Sequence, residues 1–121
     1  MVDTAIMNLE IEKDRTFSLA FQLFNDAAGT TKDLTGYSVK MQIRPFAGSS
    51  TVLAEYSTSN GAIIIPSPAS QGNISLVLTP AQTNAFTFTQ AVYDMIISQA
   101  GVVTEIIEGN VMILSNITSS I

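Results

Sequence analysis

Apolar and polar residues alternate along most of the chain, which is the pattern of strands that bury one face. In segment 16–24, Phe17, Leu19 and Phe21 share one face, whereas Ser18 points to the other. This alternation predicts a half-buried strand. The same criterion predicts about eight strands, at residues 6–12, 16–24, 37–44, 51–57, 62–65, 73–78, 91–99 and 102–114.

Turn-forming residues separate the predicted strands. Asn60-Gly61 is a strong turn signal, and Ala100-Gly101 joins the two longest strands. Thr79 is followed by Pro80 and, two residues later, by Gln82, which matches a helix capping box with proline at the first helical position. One short helix is therefore predicted after Thr79.

Three segments carry further local signals. Residues 62–65 are apolar throughout, which predicts a strand covered on both faces. Asp33-Leu34-Thr35-Gly36 predicts a tight turn in which Gly36 takes a positive φ. Gly109 lies in the middle of the last strand, which indicates either a bulge or the close approach of another backbone.

Taken together, these elements predict an all-β fold. The architecture we expect is an antiparallel β-sandwich, immunoglobulin-like or jelly-roll-like, with the short helix across one end. Because 121 residues suffice for one domain, we assign 1–121 to a single domain with its core at about 6–114. The polar residues 115–121 are predicted to be a tail that is mobile or bound to a partner.

The composition argues against several classes of function. The chain has 10 acidic and 5 basic residues, a net charge of −5 and a pI of about 4.3, the opposite of a nucleic-acid-binding balance. Apolar runs are too short for a membrane span, and no signal peptide is visible. Only 12% of the residues are charged, whereas serine and threonine number 13 each. A hydroxyl-rich surface with few charges suits a subunit that packs against neighbours.

Candidate chemistry is sparse in this sequence. The absence of histidine and cysteine removes thiol nucleophiles, imidazole bases and the usual zinc ligand sets. A lysine base would have to be Lys13, Lys32 or Lys40, but Lys40 alternates with apolar residues as a solvated strand position does, and Lys32 lies beside Asp33 in a loop. We therefore predict no catalytic, cofactor-binding or metal-binding residues, and no enzyme.

Asp94, Glu105 and Glu108 form the one carboxylate cluster that could hold a cation or serve acid–base chemistry. The register of the last hairpin decides their geometry. In one register Asp94 lies opposite Glu108, which a cation site would favour. In the other, Asp94 faces Ile107 and Glu108 faces Tyr93. We favour the second register because it separates like charges.

Several sequence segments, taken in their order along the chain, resemble those of a known class of proteins. They are Asp33-Leu34-Thr35-Gly36-Tyr37 with Val39-Lys40-Met41-Gln42-Ile43-Arg44, Asn60-Gly61-Ala62-Ile63, Gly72-Asn73-Ile74-Ser75-Leu76, Leu78-Thr79-Pro80-Ala81-Gln82-Thr83, Tyr93-Asp94 and Glu108-Gly109-Asn110-Val111. From about residue 11 to 114 the chain resembles small β-sandwich structural proteins of tailed bacteriophages and prophages. It looks similar to the N-terminal domain of baseplate upper proteins and to tail or fibre-adaptor modules.

The resemblance implies a virion building block made in the bacterial host cytoplasm. It would connect other virion proteins, such as fibres, in a tail, baseplate or neck, with symmetric copies of itself and without nucleic acid, membrane or cofactor. The alternatives are a capsid decoration protein and a carbohydrate- or cell-surface-binding module. The binding module would need exposed aromatic residues, for which Phe46, Tyr56, Phe86 and Phe88 are the candidates.

Overall fold

A computed structural model of the protein describes residues 4–25 and 28–115, and in these ranges the chain folds into two packed β-sheets. The elements in chain order are β1 (Ala5–Ile6), β2 (Leu9–Glu12), β3 (Phe17–Gln22), β4 (Ser38–Arg44), β5 (Ala54–Ser57), β6 (Ile63–Ile64), a 3-10 helix (Ala69–Gln71), β7 (Asn73–Leu78), α1 (Pro80–Asn84), β8 (Gln90–Gln99) and β9 (Val102–Leu114). The predicted all-β sandwich with one short α-helix is confirmed.

The six strands of the large sheet follow the order β1-β9-β8-β4-β5, with β2 also on β9. The small sheet has the order β3-β7-β6. The inward residues of both sheets meet in one core, as the fully buried Met41, Met95, Leu76 and Leu78 illustrate. This is the layered arrangement that alternating strands produce when each buries its apolar face.

The N-terminal segment differs from its prediction. The single strand expected at 6–12 is split into β1 and β2, and both pair parallel to β9, so the large sheet is not wholly antiparallel. The break falls at Met7 and Asn8. The Tyr93 hydroxyl donates to the Met7 carbonyl at 2.7 Å, and the Asn8 side chain accepts from the Asn110 N–H at 3.1 Å. The Met7 N–H still donates to the Glu108 carbonyl at 2.9 Å, whereas these two side-chain bonds take the place of further ladder bonds, so the strand is interrupted while it stays on β9.

Gly109 makes this arrangement possible. A Cβ atom at position 109 would lie 2.1 Å from the Met7 carbonyl oxygen. The close approach of another backbone, one of the two alternatives offered for this glycine, is therefore confirmed. The bulge lies elsewhere in β9, between the partners of Met95 and Ile96.

The prediction that residues 62–65 are covered on both faces was wrong. Ile63 is buried, but Ile64 is 56% exposed. Strand β6 is a two-residue edge strand of the small sheet, and its outward residue lies on the outer face of that sheet. A short apolar run therefore does not by itself tell a central strand from an edge strand.

The turn and cap predictions are confirmed. Gly36 has φ +80°, and the Thr79 hydroxyl accepts from the Gln82 N–H at 3.2 Å while the Gln82 side chain accepts from the Thr79 N–H at 2.8 Å. The hydroxyl of the buried Thr83 donates to the Arg15 carbonyl at 2.8 Å, which ties α1 to the segment before β3. None of the helices in the described part of the chain has the length and apolarity that a membrane span needs.

The single-domain assignment stays a prediction, as does the assignment of a C-terminal tail. Ser115, the first residue of that tail, is exposed, and residues 116–121 lie outside the described ranges. Residues 26–27 of the predicted loop between β3 and β4 also lie outside them.

Candidate functional site

A hollow of about 500 Å³ opens on the outer face of the large sheet. Its lining includes Gln42 and Arg44 of β4, Asp94 of β8, and Glu105 and Glu108 of β9. These side chains occupy strand positions that point away from the core. The three carboxylates that the sequence singled out therefore share one concave surface, which we call the acidic hollow.

The register of the β8–β9 hairpin differs from the one we favoured. Asp94 lies directly opposite Glu108, as the rejected register required. Nearer the turn the pairing shifts by one residue, and Ile96 lies opposite Glu105. The extra residue is Ile106, which forms a β-bulge. Neither uniform register is correct, because the hairpin uses both.

Burial explains why the bulge wins over charge separation. Ile106 and Ile107 are adjacent, and both are almost fully buried, at 1% and 3% exposure. Burying an isoleucine contributes roughly 1.5–3 kcal/mol, whereas two like charges facing each other across strands cost about 0.2–1 kcal/mol. A uniform pairing of Glu108 with Tyr93 would also turn the Glu108 side chain toward the core, because Tyr93 is buried.

A sequence signal for this bulge exists, and charge arguments alone missed it. Glu105 and Glu108 are three residues apart, so a regular strand would send one of them into the core. Ile106 and Ile107 between them are both apolar. A one-residue shift of pairing within β9 lets both glutamates point away from the core while both isoleucines point into it.

The carboxylates of the acidic hollow affect one another. Burial raises the pKa of Glu105 to about 7, and the neighbouring carboxyl groups of Asp94 and Glu108 add to this through hydrogen bonds and negative charge. Glu105 therefore holds a proton at pH values where an isolated glutamate has lost it. The Arg44 guanidinium, on the same surface, donates to the Gln42 side chain at 2.6 Å and to the Ser49 carbonyl.

The hollow was also the one candidate for cation binding. Among residues 4–25 and 28–115, no group of three or more acidic side chains has the placement that a metal ion needs. The hairpin nevertheless places Asp94 opposite Glu108, in the register that a cation site would favour.

The three candidate lysines, Lys13, Lys32 and Lys40, are not among the residues that line the acidic hollow. Lys40 is exposed on β4, as its alternation predicted. The Lys32 ammonium lies 5.0 Å from the centre of the Tyr37 ring. The Asp33 carboxylate beside it accepts from the Thr35 hydroxyl at 2.6 Å, which, with the Thr35 N–H, lowers its pKa.

The aromatic candidates for a binding surface are mostly covered. Tyr56 and Phe86 are buried, at 7% and 5% exposure. Phe88 packs partly against the core and against Phe86, with ring centroids 5.2 Å apart. Phe46, which is 62% exposed, is the exception among the four.

The small sheet presents a second surface that sequence reasoning did not single out. Its outer face carries serine, asparagine, glutamine and small or apolar residues, and no charge; these outward residues are Ser18, Ala20, Gln22, Ile64, Asn73, Ser75 and Val77. Ile64 and Val77 are 56% and 43% exposed. We call these seven residues the neutral face. The alternation in β3 and β7 was visible in the sequence, but their pairing into one sheet was not.

Comparisons with known proteins add information on the fold. No protein-family model matches the sequence, and no curated protein sequence matches it. Among solved structures, the chain is similar to a crystal structure of a chicken TCR, with a TM-score of 0.54 and 12% sequence identity. The match covers 93% of this chain and 55% of that one, so the chain spans about half the length of that structure. This similarity fits the immunoglobulin-like form of the predicted sandwich and shows the fold alone.

Proposed function

We propose that the chain is a non-enzymatic structural subunit of a tailed-bacteriophage virion, located in the tail, baseplate or neck, where it connects other virion proteins such as fibres. The observation that carries this proposal is the neutral face of the small sheet. It is an exposed, charge-free surface on an otherwise acidic protein. The cores of protein interfaces are likewise depleted of charged residues.

The neutral face is well suited to contact with a neighbour. Hydroxyl and amide groups lose less on leaving water than charged groups do, and a partner can restore their hydrogen bonds. Ile64 and Val77 add exposed apolar area to the same face. A monomer with no partner would keep these apolar side chains in water, whereas a subunit of an assembly covers them.

The phage setting comes from the serial resemblance of turn and strand phrases to phage structural proteins. The Asp33–Tyr37 turn and the Thr79 capping box, two parts of that resemblance, form as structural elements. These elements specify the shape of the subunit. That the subunit belongs to a phage virion and contacts other virion proteins is what we propose.

Localisation in native particles tests the proposal. We expect the chain to co-purify with virions and to fit density in the tail or baseplate by cryo-electron microscopy. Val77→Lys, on the neutral face, is expected to reduce incorporation into particles. Met112→Lys is the matched control, because Met112 is also 43% exposed but lies on β9 of the large sheet. Absence from purified particles would contradict the proposal, as would equal incorporation of both variants.

Two alternatives have distinct readouts. Density on the capsid would identify a decoration protein. A cell-surface-binding module is the other, and its supporting observation is the exposed Phe46. Phe46 follows β4 and directly precedes residues 47–49, which line the acidic hollow. Binding on a glycan array that is lost in Phe46→Ala would favour the binding module.

A further inference from the structure

Strand β3 is an open edge of the small sheet. Its residues Phe17–Gln22 pair with β7, and β7 pairs on its other side with β6. The Leu23 N–H donates to the Gly72 carbonyl at 2.9 Å, so these two residues form a hydrogen-bonded pair of the antiparallel ladder. Since such pairs alternate along a ladder, odd-numbered residues of β3 bond to β7.

The even-numbered residues of β3 therefore direct their backbone groups away from β7. These residues are Ser18, Ala20 and Gln22, and all three are exposed. Within the described ranges, no hydrogen bond to their backbone N–H or C=O groups comes from another segment. The edge thus offers three donors and three acceptors at regular spacing.

The other sheet edges carry features that discourage pairing, and β3 does not. Strand β2 has Glu10 and Glu12, β5 has Glu55, and β6 is only two residues long. Charged residues and very short strands are the devices by which proteins protect exposed edges. The sequence of β3, Phe-Ser-Leu-Ala-Phe-Gln, contains no charge and no proline, and its pairing with β7 runs without a bulge.

The open groups of β3 match a second copy of β3. If two copies run antiparallel with a two-fold axis between their Ala20 residues, Ser18 of each lies opposite Gln22 of the other. All three open residues then form hydrogen-bonded pairs at once. On the inner side, Leu19 of one copy lies opposite Phe21 of the other. Both side chains are only half-buried in the single chain, so the pairing covers their remaining exposed surface.

Charge also favours a second copy at this edge. The chain carries a net charge of −5, so two copies repel each other over most orientations. Contact through β3 brings together strands without charge, with the neutral faces side by side. The small Ala20 at the axis leaves room for its symmetry mate.

We infer that two copies of the chain associate antiparallel through β3, which joins their small sheets into one continuous sheet in the order β6-β7-β3-β3-β7-β6. The inference deepens the proposed assembly role, but it concerns the isolated chain and does not depend on the virion. Pairing at an open edge is the mode in which main-chain hydrogen bonds supply affinity and alternate side chains supply specificity.

Analytical ultracentrifugation of the purified full chain over a range of concentrations tests the inference. We expect a reversible dimer. Ala20→Lys places two ammonium groups directly opposite each other at the axis, so the dissociation constant is expected to rise by about two- to five-fold. Met112→Lys is the control, because it adds the same charge at an exposed position on β9 of the large sheet, away from β3, and it is expected to dimerise as the unmodified chain does.

Hydrogen exchange of the unmodified chain provides a readout that needs no substitution. The amides of Ser18, Ala20 and Gln22 are expected to exchange more slowly as concentration rises. A monomer at all concentrations would overturn the inference, as would a dimer in which these amides stay unprotected or in which Ala20→Lys dimerises as well as Met112→Lys does. If the chain is found in virions but is monomeric in isolation, the dimer is contradicted and the proposed function is not. If the chain dimerises but is absent from particles, the proposed function is contradicted and the dimer is not.

Discussion

Gly109→Ala tests the contact that holds the N-terminal strands on the large sheet. The new methyl group would lie 2.1 Å from the Met7 carbonyl oxygen and 2.7 Å from its carbonyl carbon. Real Cβ atoms do not approach backbone so closely, so the segment between β1 and β2 must move away from β9. Position 109 does not have a positive φ, so the substitution perturbs this contact without backbone strain of its own.

The bonds around Met7 set the size of the effect. Moving this segment breaks the Tyr93 hydroxyl bond to Met7 at 2.7 Å, the Met7 N–H bond to Glu108 at 2.9 Å and the bond between Asn8 and Asn110 at 3.1 Å. At about 1 kcal/mol each, these losses come to roughly 3 kcal/mol. The lower flexibility of alanine in the unfolded chain offsets roughly 0.5–1 kcal/mol. The net loss in the free energy of unfolding is therefore about 2 kcal/mol.

Thermal and urea denaturation measure this loss. A chain of 121 residues changes its Tm by about 4 °C per kcal/mol, so Gly109→Ala is expected to melt roughly 8 °C lower. Gly101→Ala is the control, since its Cβ meets nothing within 4 Å but its φ of +82° costs an alanine about 1 kcal/mol. A Gly109→Ala variant as stable as Gly101→Ala, with the Met7 amide still protected from hydrogen exchange, would refute the reasoning.

Three further substitutions probe the acidic hollow and two local contacts. Burial and neighbouring carboxyl groups raise the pKa of Glu105 from 4.5 to about 7, so between these pH values the folded chain binds more protons than the unfolded chain. The free energy of unfolding therefore falls as pH rises from 4.5 to 7. Glu105→Gln is expected to flatten this part of the Tm–pH curve, and an unchanged slope would contradict the expectation. Tyr93→Phe is expected to lose about 1–2 kcal/mol in urea titrations, because the Met7 carbonyl loses its donor. Thr79→Ala removes the acceptor of the Gln82 N–H and is expected to cost about 1 kcal/mol, whereas Thr79→Ser should nearly restore it.

The local features of this fold follow from the sequence because neighbouring residues encode them. The alternation of residues 16–24 and 73–78 gave β3 and β7 to within a few positions. Thr79 and Gln82 are close enough in sequence to form their cap regardless of what surrounds them. Gly36 takes a positive φ because the turn demands it, and that demand is also local.

Features set by distant residues could not be obtained in the same way. Whether Ile64 is covered depends on which strand β6 joins, and alternation contains no information about pairing partners. Whether β1 and β2 run parallel or antiparallel to β9 depends on pairing with a strand at the other end of the chain, which local alternation does not encode. The candidate carboxylates were identified correctly as a cluster, but their register depended on the competition between burying two isoleucines and separating two charges.

The bulge at Ile106 makes the last hairpin intolerant of small changes in length. Deleting one residue between Ile106 and the turn would move Glu105 into the core or expel a buried isoleucine. Removing two residues would keep every remaining side chain on its own side of the sheet. Insertions and deletions that natural relatives tolerate in this hairpin are therefore expected to come in even numbers, and an odd change is expected only together with gain or loss of the bulge.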